Sequence, residues 1–150
     1  MSKYYTDGTN ASVRILLLDY RKAFDLIDHH LLVRKICQLR LPPQIINWVI
    51  AFLKSRFQRV KLANNCFSDW PPVPAGVPQG TKLGPWLFIL MLNDLQIPNF
   101  DNWIYVDDTT VSEVVQNNSN SSMQSAANIV QDWSNTNKFQ LNVKKCKELM

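Results

Sequence analysis

Two adjacent acids, Asp107 and Asp108, sit between short runs rich in aromatic and β-branched residues: Trp103, Ile104 and Tyr105 before them, Thr109 to Val115 after. Such runs favour strands and Asp-Asp between them signals a turn, so the stretch predicts a tight β-hairpin with both carboxylates at its tip. Neighbouring anions repel, and burial would force one to keep its proton unless a cation compensates. A divalent metal does this, and hard oxygen ligands suit magnesium. Taken alone, an Asp-Asp pair reads as a solvated turn, since turns favour Asp for backbone reasons. A third acid changes the balance. Ser12 to Leu18 is a short apolar run of the kind a buried central strand shows, and it ends at Asp19. Asp19 and the Asp107-Asp108 pair are remote in sequence, so they meet only if their strands are neighbours in one sheet.

The elements that must position these acids follow from periodicity. Leu32, Ile36 and Leu39 repeat at helical spacing within Leu31 to Leu39, with Arg34, Lys35 and Arg40 off the stripe and Pro42-Pro43 ending the helix. A second helix follows, with Pro43 in its first turn, Ile45, Val49, Phe52 and Leu53 on one face, and Lys54 and Arg56 at the end where the dipole favours cations. Gln58 to Leu62 alternates and predicts a strand, Arg59 and Lys61 on one face and Val60 and Leu62 on the other. The two cations could meet phosphates or simply be solvated. Residues 71–85 hold five prolines and three glycines, a stiff, shaped loop that presents backbone. Trp86 to Leu95 predicts a helix apolar on nearly all sides and therefore buried, with Pro85 at its start. Asn117 to Ser122 reads as an exposed loop, then Met123, Ala126, Ala127, Val130 and Trp133 mark a helix capped by Ser121 or Ser122. Phe139 to Val143 predicts a short strand before the basic cluster Lys144, Lys145 and Lys147. This order gives an α+β fold, a small, mainly antiparallel sheet with helices packed on one face.

The chain has 150 residues, 46% of them hydrophobic, enough for one domain with a sizeable core. Its net charge of +4 is unevenly spread: residues 1–61 carry 11 Lys/Arg against 4 Asp/Glu, residues 62–134 carry 1 against 7, and residues 135–150 carry 4 against 1. A basic first part and an acidic middle suit a polyanion held over metal-binding carboxylates, although helix faces solvated by Lys and Arg would give the same composition. Cys37, Cys66 and Cys146 form no close pair, which argues against a disulfide framework or a zinc site and for a reducing compartment. The polar Met1 to Asn10 stretch shows no signal peptide, and no apolar run is long enough to span a bilayer. An intracellular protein of cytoplasm and nucleus is expected, so the sequons at Asn10, Asn117 and Asn120 are read as incidental.

Three motifs in order, Asp19-Tyr20-Arg21-Lys22-Ala23-Phe24-Asp25, Gly76-Val77-Pro78-Gln79-Gly80-Thr81-Lys82-Leu83-Gly84-Pro85 and Tyr105-Val106-Asp107-Asp108, closely resemble reverse transcriptases, in particular those of non-long-terminal-repeat, LINE-type (jockey-like) retrotransposons. The resemblance runs from about Ser12 to Met150 and implies a polymerase palm with an acidic hairpin at its site. It implies Asp19, Asp107 and Asp108 as catalytic ligands of two Mg2+ ions, with Mn2+ as a substitute, and Phe24 as the side chain that excludes a ribose 2′-hydroxyl. Gln79 and Gly80 would lie beside nucleotide and template, Tyr105 near the primer end, and Arg21 and Lys22 near phosphates. Lys145, which follows Leu141-Asn142, would donate a proton to the leaving pyrophosphate. RNA template, DNA primer and dNTP are the implied partners. The resemblance also implies a partial domain over residues 1–150, a palm with a remnant of fingers, needing fingers and thumb segments of a parent polyprotein and weak or inactive alone. A silent relic that only binds nucleic acid is the competing reading, against which the three intact acids count. An RNA polymerase or a group II intron maturase shares the palm, but Phe24 and the Gly-Val-Pro-Gln-Gly-Thr loop favour the LINE-type reading.

Overall fold

A computed structural model describes residues 11–116 and 120–150. The sequons at Asn10 and Asn117, the Met1 to Asn10 stretch and the first part of the 117–122 loop lie outside the described residues. Among the described residues two compact units are present: one comprises residues 11–21 together with those from Leu95 to Met150, the other Lys22–Asp94.

The first unit is a four-stranded antiparallel sheet in the order β2-β3-β1-β4, formed by β1 (Ala11–Leu18), β2 (Asp101–Tyr105), β3 (Asp108–Gln116) and β4 (Lys147–Leu149). The expected neighbour relation holds: β1 pairs along its whole length with β3, from Ala11↔Gln116 to Leu18↔Thr109. Helix α4 (Met123–Thr136) covers one face, where Leu18, Val111, Met123, Ala126 and Val130 form the buried core. The pleat sends alternate residues to that face, so Leu18, Thr109 and Val111 turn inward and Leu17 and Thr110 turn to the open face. Tyr20, Trp133 and Phe139 complete the core as an aromatic cluster, with Phe139 5.2 Å from Tyr20 and 5.4 Å from Trp133 between ring centroids.

Glu113 fastens β3 to the start of α4. It accepts from the Ser121 hydroxyl at 2.7 Å, the Ser122 amide at 3.0 Å and the Ser122 hydroxyl, placing a carboxylate at a helix N-terminus. Burial pushes the Glu113 carboxyl up, but the Ser122 and Ser121 bonds and the charge of Arg14 outweigh it and hold the group below the usual carboxylate range. A depressed folded pKa gives stability that is present above the unfolded value and lost as pH falls through the folded one. Acid unfolding followed by circular dichroism should therefore show wild type losing stability below the ordinary carboxylate range. Glu113→Gln should lose part of that slope; an identical slope in both proteins would remove Glu113 from the account.

The second unit holds α1 (His29–Gln38), α2 (Pro43–Leu53) and α3 (Leu83–Leu92). Asp28 caps α1, accepting from the Leu31 amide at 3.0 Å. Leu32, Ile36, Val49, Leu53, Leu87, Phe88 and Met91 are buried. Lys35, off the apolar stripe of α1, donates to the Met91 carbonyl in the last turn of α3 at 2.7 Å and meets Asp94 at 2.5 Å. Burial lowers its pKa, and the Asp94 carboxylate opposes that shift.

Three expectations are corrected. Gln58 to Leu62 forms no strand; only the single bridges Phe57↔Pro72 and Lys61↔Phe67 occur, because Pro71 and Pro72 opposite offer carbonyls but no N–H, and Val60 and Leu62 stay exposed. Phe139 to Val143 makes one bridge, Tyr20↔Leu141, and the ladder strand is Lys147–Leu149 instead. The alternation there reported burial of Phe139 beside Tyr20, not a ladder. Helix α3 begins earlier than expected, at Leu83, and is not buried all round, since Trp86 is 67% exposed.

Candidate active site

The β1–β3 register decides which acids meet. Leu18 faces Thr109 in the last ladder pair, so the next residues in each direction are Asp19 and Asp108. The pleat that turns Leu18 and Thr109 toward α4 turns Asp19 and Asp108 to the open face. Both line a cavity of about 530 Å³ on that face, together with Thr110, Lys144, Lys145 and Lys147. Asp107 is not part of that lining. The hairpin turn is Val106-Asp107, closed by the pair Tyr105↔Asp108, so Asp107 sits in the turn and Asp108 opens β3, where both acids had been expected at the tip. Val106 has φ +56°, a region costly for a β-branched residue. Among the described residues no group of three His, Cys, Asp or Glu side chains converges as a metal cluster.

The Asp19 backbone is held on both sides. Its carbonyl accepts from the Asn142 amide at 2.8 Å, and the Arg21 amide donates to the Gln140 carbonyl at 2.8 Å. A turn closed by the Lys145 amide on the Asn142 carbonyl, 2.8 Å, then returns the Lys145 ammonium to 3.4 Å from Asp19 Oδ2. The other carboxylate oxygen, Oδ1, is buried and has no hydrogen-bond partner among the described residues. A buried acceptor left unpaired is costly, so this oxygen fits a position that receives a cation. With Asp108 on the same cavity, the donor set is all carboxylate oxygen, as a hard divalent metal requires. Tyr105, at the end of β2, is 80% exposed, and Arg21 is exposed.

The remaining candidates belong to the second unit. Phe24 stacks on Phe88 with centroids 4.6 Å apart, and its carbonyl accepts from the Val77 amide at 2.8 Å. Gln79 donates its side-chain amide to Asp25 Oδ1 at 3.0 Å, and Gly80 is exposed at φ +76°. Lys22 takes φ +45° and borders, with Asp25, Arg56 and Gln79, a cavity of about 660 Å³ beneath the proline-rich loop. Arg59 and Lys61 are both exposed, Arg59 over the rings of Phe67, 4.0 Å, and Trp70, 4.6 Å, and Lys61 5.8 Å from Phe67.

Sequence reasoning missed a pair that shapes this loop. The Gly76 carbonyl accepts from His29 Nε2 at 2.7 Å and from the Arg56 guanidinium at 2.5 Å. Arg56 also reaches the Leu53 carbonyl at 3.3 Å, the helix-end role its position suggested. Nothing in the spacing of His29, Arg56 and Gly76 announces their meeting. The lysines at 144 and 147 were visible as a basic cluster, but only the β4 register, with Lys147 opposite Leu17, turns Lys147 toward the acids.

Comparisons with known proteins bear on the family and the fold. A family profile described as reverse transcriptase (RNA-dependent DNA polymerase) matches residues 4–150. The RNA-directed DNA polymerase from mobile element jockey of Drosophila melanogaster is 31% identical over 140 residues, covering 86% of this chain and 15% of that protein. A probable RNA-directed DNA polymerase from transposon X-element of the same organism is 38% identical over 84 residues, 56% of this chain and 9% of that protein. The chain thus spans a small part of the curated relatives it matches. Among solved structures, a Candida tropicalis telomerase in complex with a fragment of telomeric RNA superposes with TM-score 0.73 at 12% identity, over 97% of this chain and 27% of that one. A Candida albicans telomerase gives 0.67 at 14% identity, over 93% and 27%. The sheet with its acidic hairpin is a polymerase palm fold, and the chain belongs to the reverse transcriptase family, in its non-long-terminal-repeat, LINE-type branch.

Proposed function

We propose that this chain is the nucleotidyl-transfer portion of an RNA-directed DNA polymerase from a retrotransposon, acting inside the cell on an RNA template, a DNA primer and dNTP. Fingers and thumb segments of a parent polyprotein would complete it. The observation that carries the reading is the adjacency of Asp19 and Asp108 on the open face of one sheet, with Asp19 Oδ1 buried and unpaired. Asp19 and Asp108, with Asp107 from the adjoining turn, are the residues that would hold divalent metal, Mg2+ or in its place Mn2+. Held there, such ions would supply Lewis acidity toward a primer hydroxyl and positive charge for the phosphoryl oxygens.

The chain's own residues supply the rest. Lys145 carries a proton within reach of Asp19 and would pass it to the departing pyrophosphate. Lys144 and Lys147, on the same cavity, match the charge of a triphosphate. Phe24, fixed by Phe88 on its face and by Val77 on its backbone, would occupy the space a 2′-hydroxyl needs. Gln79 and Gly80 would contact nucleotide and template, Tyr105 the primer end, Arg21 and Lys22 phosphates, and Arg59 and Lys61 the nucleic acid.

Primer extension on an RNA template in Mg2+, by this chain joined to fingers and thumb segments, tests the proposal. Deoxynucleotides should be incorporated and ribonucleotides refused, and Phe24→Ala should admit ribonucleotides about tenfold or more faster. Template binding without any incorporation would favour the silent relic.

A further inference from the structure

Residues 56–73 form an arm of the second unit with an unusual surface. Two bridges, Phe57↔Pro72 and Lys61↔Phe67, and the bonds from Ser68 to the Val60 carbonyl, 3.0 Å, and from Leu62 to the Cys66 carbonyl, 2.8 Å, fold it back on itself. Five of its large apolar side chains stay exposed, Phe57, Val60, Leu62, Phe67 and Trp70, with Phe67 at 41% and Trp70 at 57%. Exposed apolar area of this kind marks an interaction surface. Its charge names the partner, because Arg59 and Lys61 are exposed on it against one acid, Asp69, while Arg56 is tied to the Gly76 carbonyl.

The cations and the rings are interleaved on one face. Arg59 lies over both Phe67 and Trp70, and Lys61 lies 5.8 Å from Phe67, so one guanidinium joins the two rings and an ammonium stands beside them. Arg59 covers part of each ring, and the exposed remainder leaves π surface open. Planar π surface set in positive charge is the chemistry that holds unpaired bases: rings stack on the base and cations follow the phosphates. A duplex hides its bases from such a surface. A second copy of this chain would bring the same positive charges against themselves.

We infer that the Arg59–Phe67–Trp70 cluster is a base-stacking platform for single-stranded nucleic acid. It rests on the reading that the chain handles nucleic acid, but it needs neither the carboxylates nor synthesis. Binding of a fluorescein-labelled 20-nucleotide oligo(rU), read by anisotropy, should weaken about tenfold or more in Trp70→Ala, with less loss for a blunt duplex of equal length. Trp70→Phe, which keeps a ring, should restore most of the affinity. Trp86→Ala, which removes an exposed indole from α3, should bind as wild type does. Unchanged oligo(rU) affinity in Trp70→Ala, with its fold intact by circular dichroism, overturns the inference. Equal losses for oligo(rU) and duplex also overturn it, since charge alone would explain both. Self-association in sedimentation that Trp70→Ala abolishes, with no effect on oligo(rU), would assign the arm to a second copy instead. A chain that binds through Trp70 but synthesises nothing with fingers and thumb restored sinks the polymerase reading and leaves this one standing; synthesis with binding indifferent to Trp70 does the reverse.

Discussion

Asp19→Asn is expected to lower metal-dependent deoxynucleotide incorporation by at least about 100-fold, because a carboxylate that holds a catalytic cation contributes several kcal/mol to the transition state. The substitution keeps the shape of the side chain and removes only its charge. Folding should survive it: the backbone bond from Asn142 to the residue-19 carbonyl remains, and the ion pair with Lys145, 3.4 Å and largely solvated on the lysine side, contributes little. A thermal midpoint close to wild type together with lost incorporation is therefore the expected pair of results. Incorporation within a few fold of wild type would remove Asp19 from the chemistry.

Gly76→Ala should have the largest effect on stability. Gly76 has φ +80°, and a Cβ there would stand 2.6 Å from the Asp25 carbonyl oxygen, backbone against backbone. The peptide cannot move away, since its amide donates to the Ile27 carbonyl at 2.8 Å and its own carbonyl holds His29 and Arg56. Strain of the backbone and the clash together cost about 3–5 kcal/mol, or roughly 10 °C in midpoint. Gly80→Ala is the control: φ is +76° but nothing lies within 4 Å of the added carbon, so the cost is about 1 kcal/mol. Equal effects at the two positions in denaturant unfolding would contradict this account of the loop.

How much of this was legible before the structure differs from residue to residue. The apolar run ending at Asp19 and the β-branched run after Asp108 each announce a strand, and the requirement that they be neighbours follows from asking how remote acids meet. The register does not follow. Only the ladder ending at Leu18↔Thr109 shows that Asp108 shares the open face with Asp19 while Asp107 stays in the turn. Alternation misled twice, at Gln58 to Leu62 and Phe139 to Val143, because a period of two reports which side chains share a face and not whether a partner strand is present. At Phe139 the face was an aromatic core. At Arg59 it was a cation laid across rings, which neither charge count nor spacing discloses. The support of Gly76 by His29 and Arg56 joins residues 47 and 20 positions away, and such contacts carry no local signal.

The central claim is that acids from β1 and from the hairpin hold shared cations, and Mn2+ titration followed by electron paramagnetic resonance tests it most directly. Wild type should bind Mn2+ in a way that Mg2+ displaces, and Asp19→Asn and Asp108→Asn should each weaken that binding about tenfold or more, with Asp107→Asn doing the same from the turn. Mn2+ binding undiminished in Asp19→Asn and Asp108→Asn would contradict the claim, whatever the chain's resemblance to its relatives.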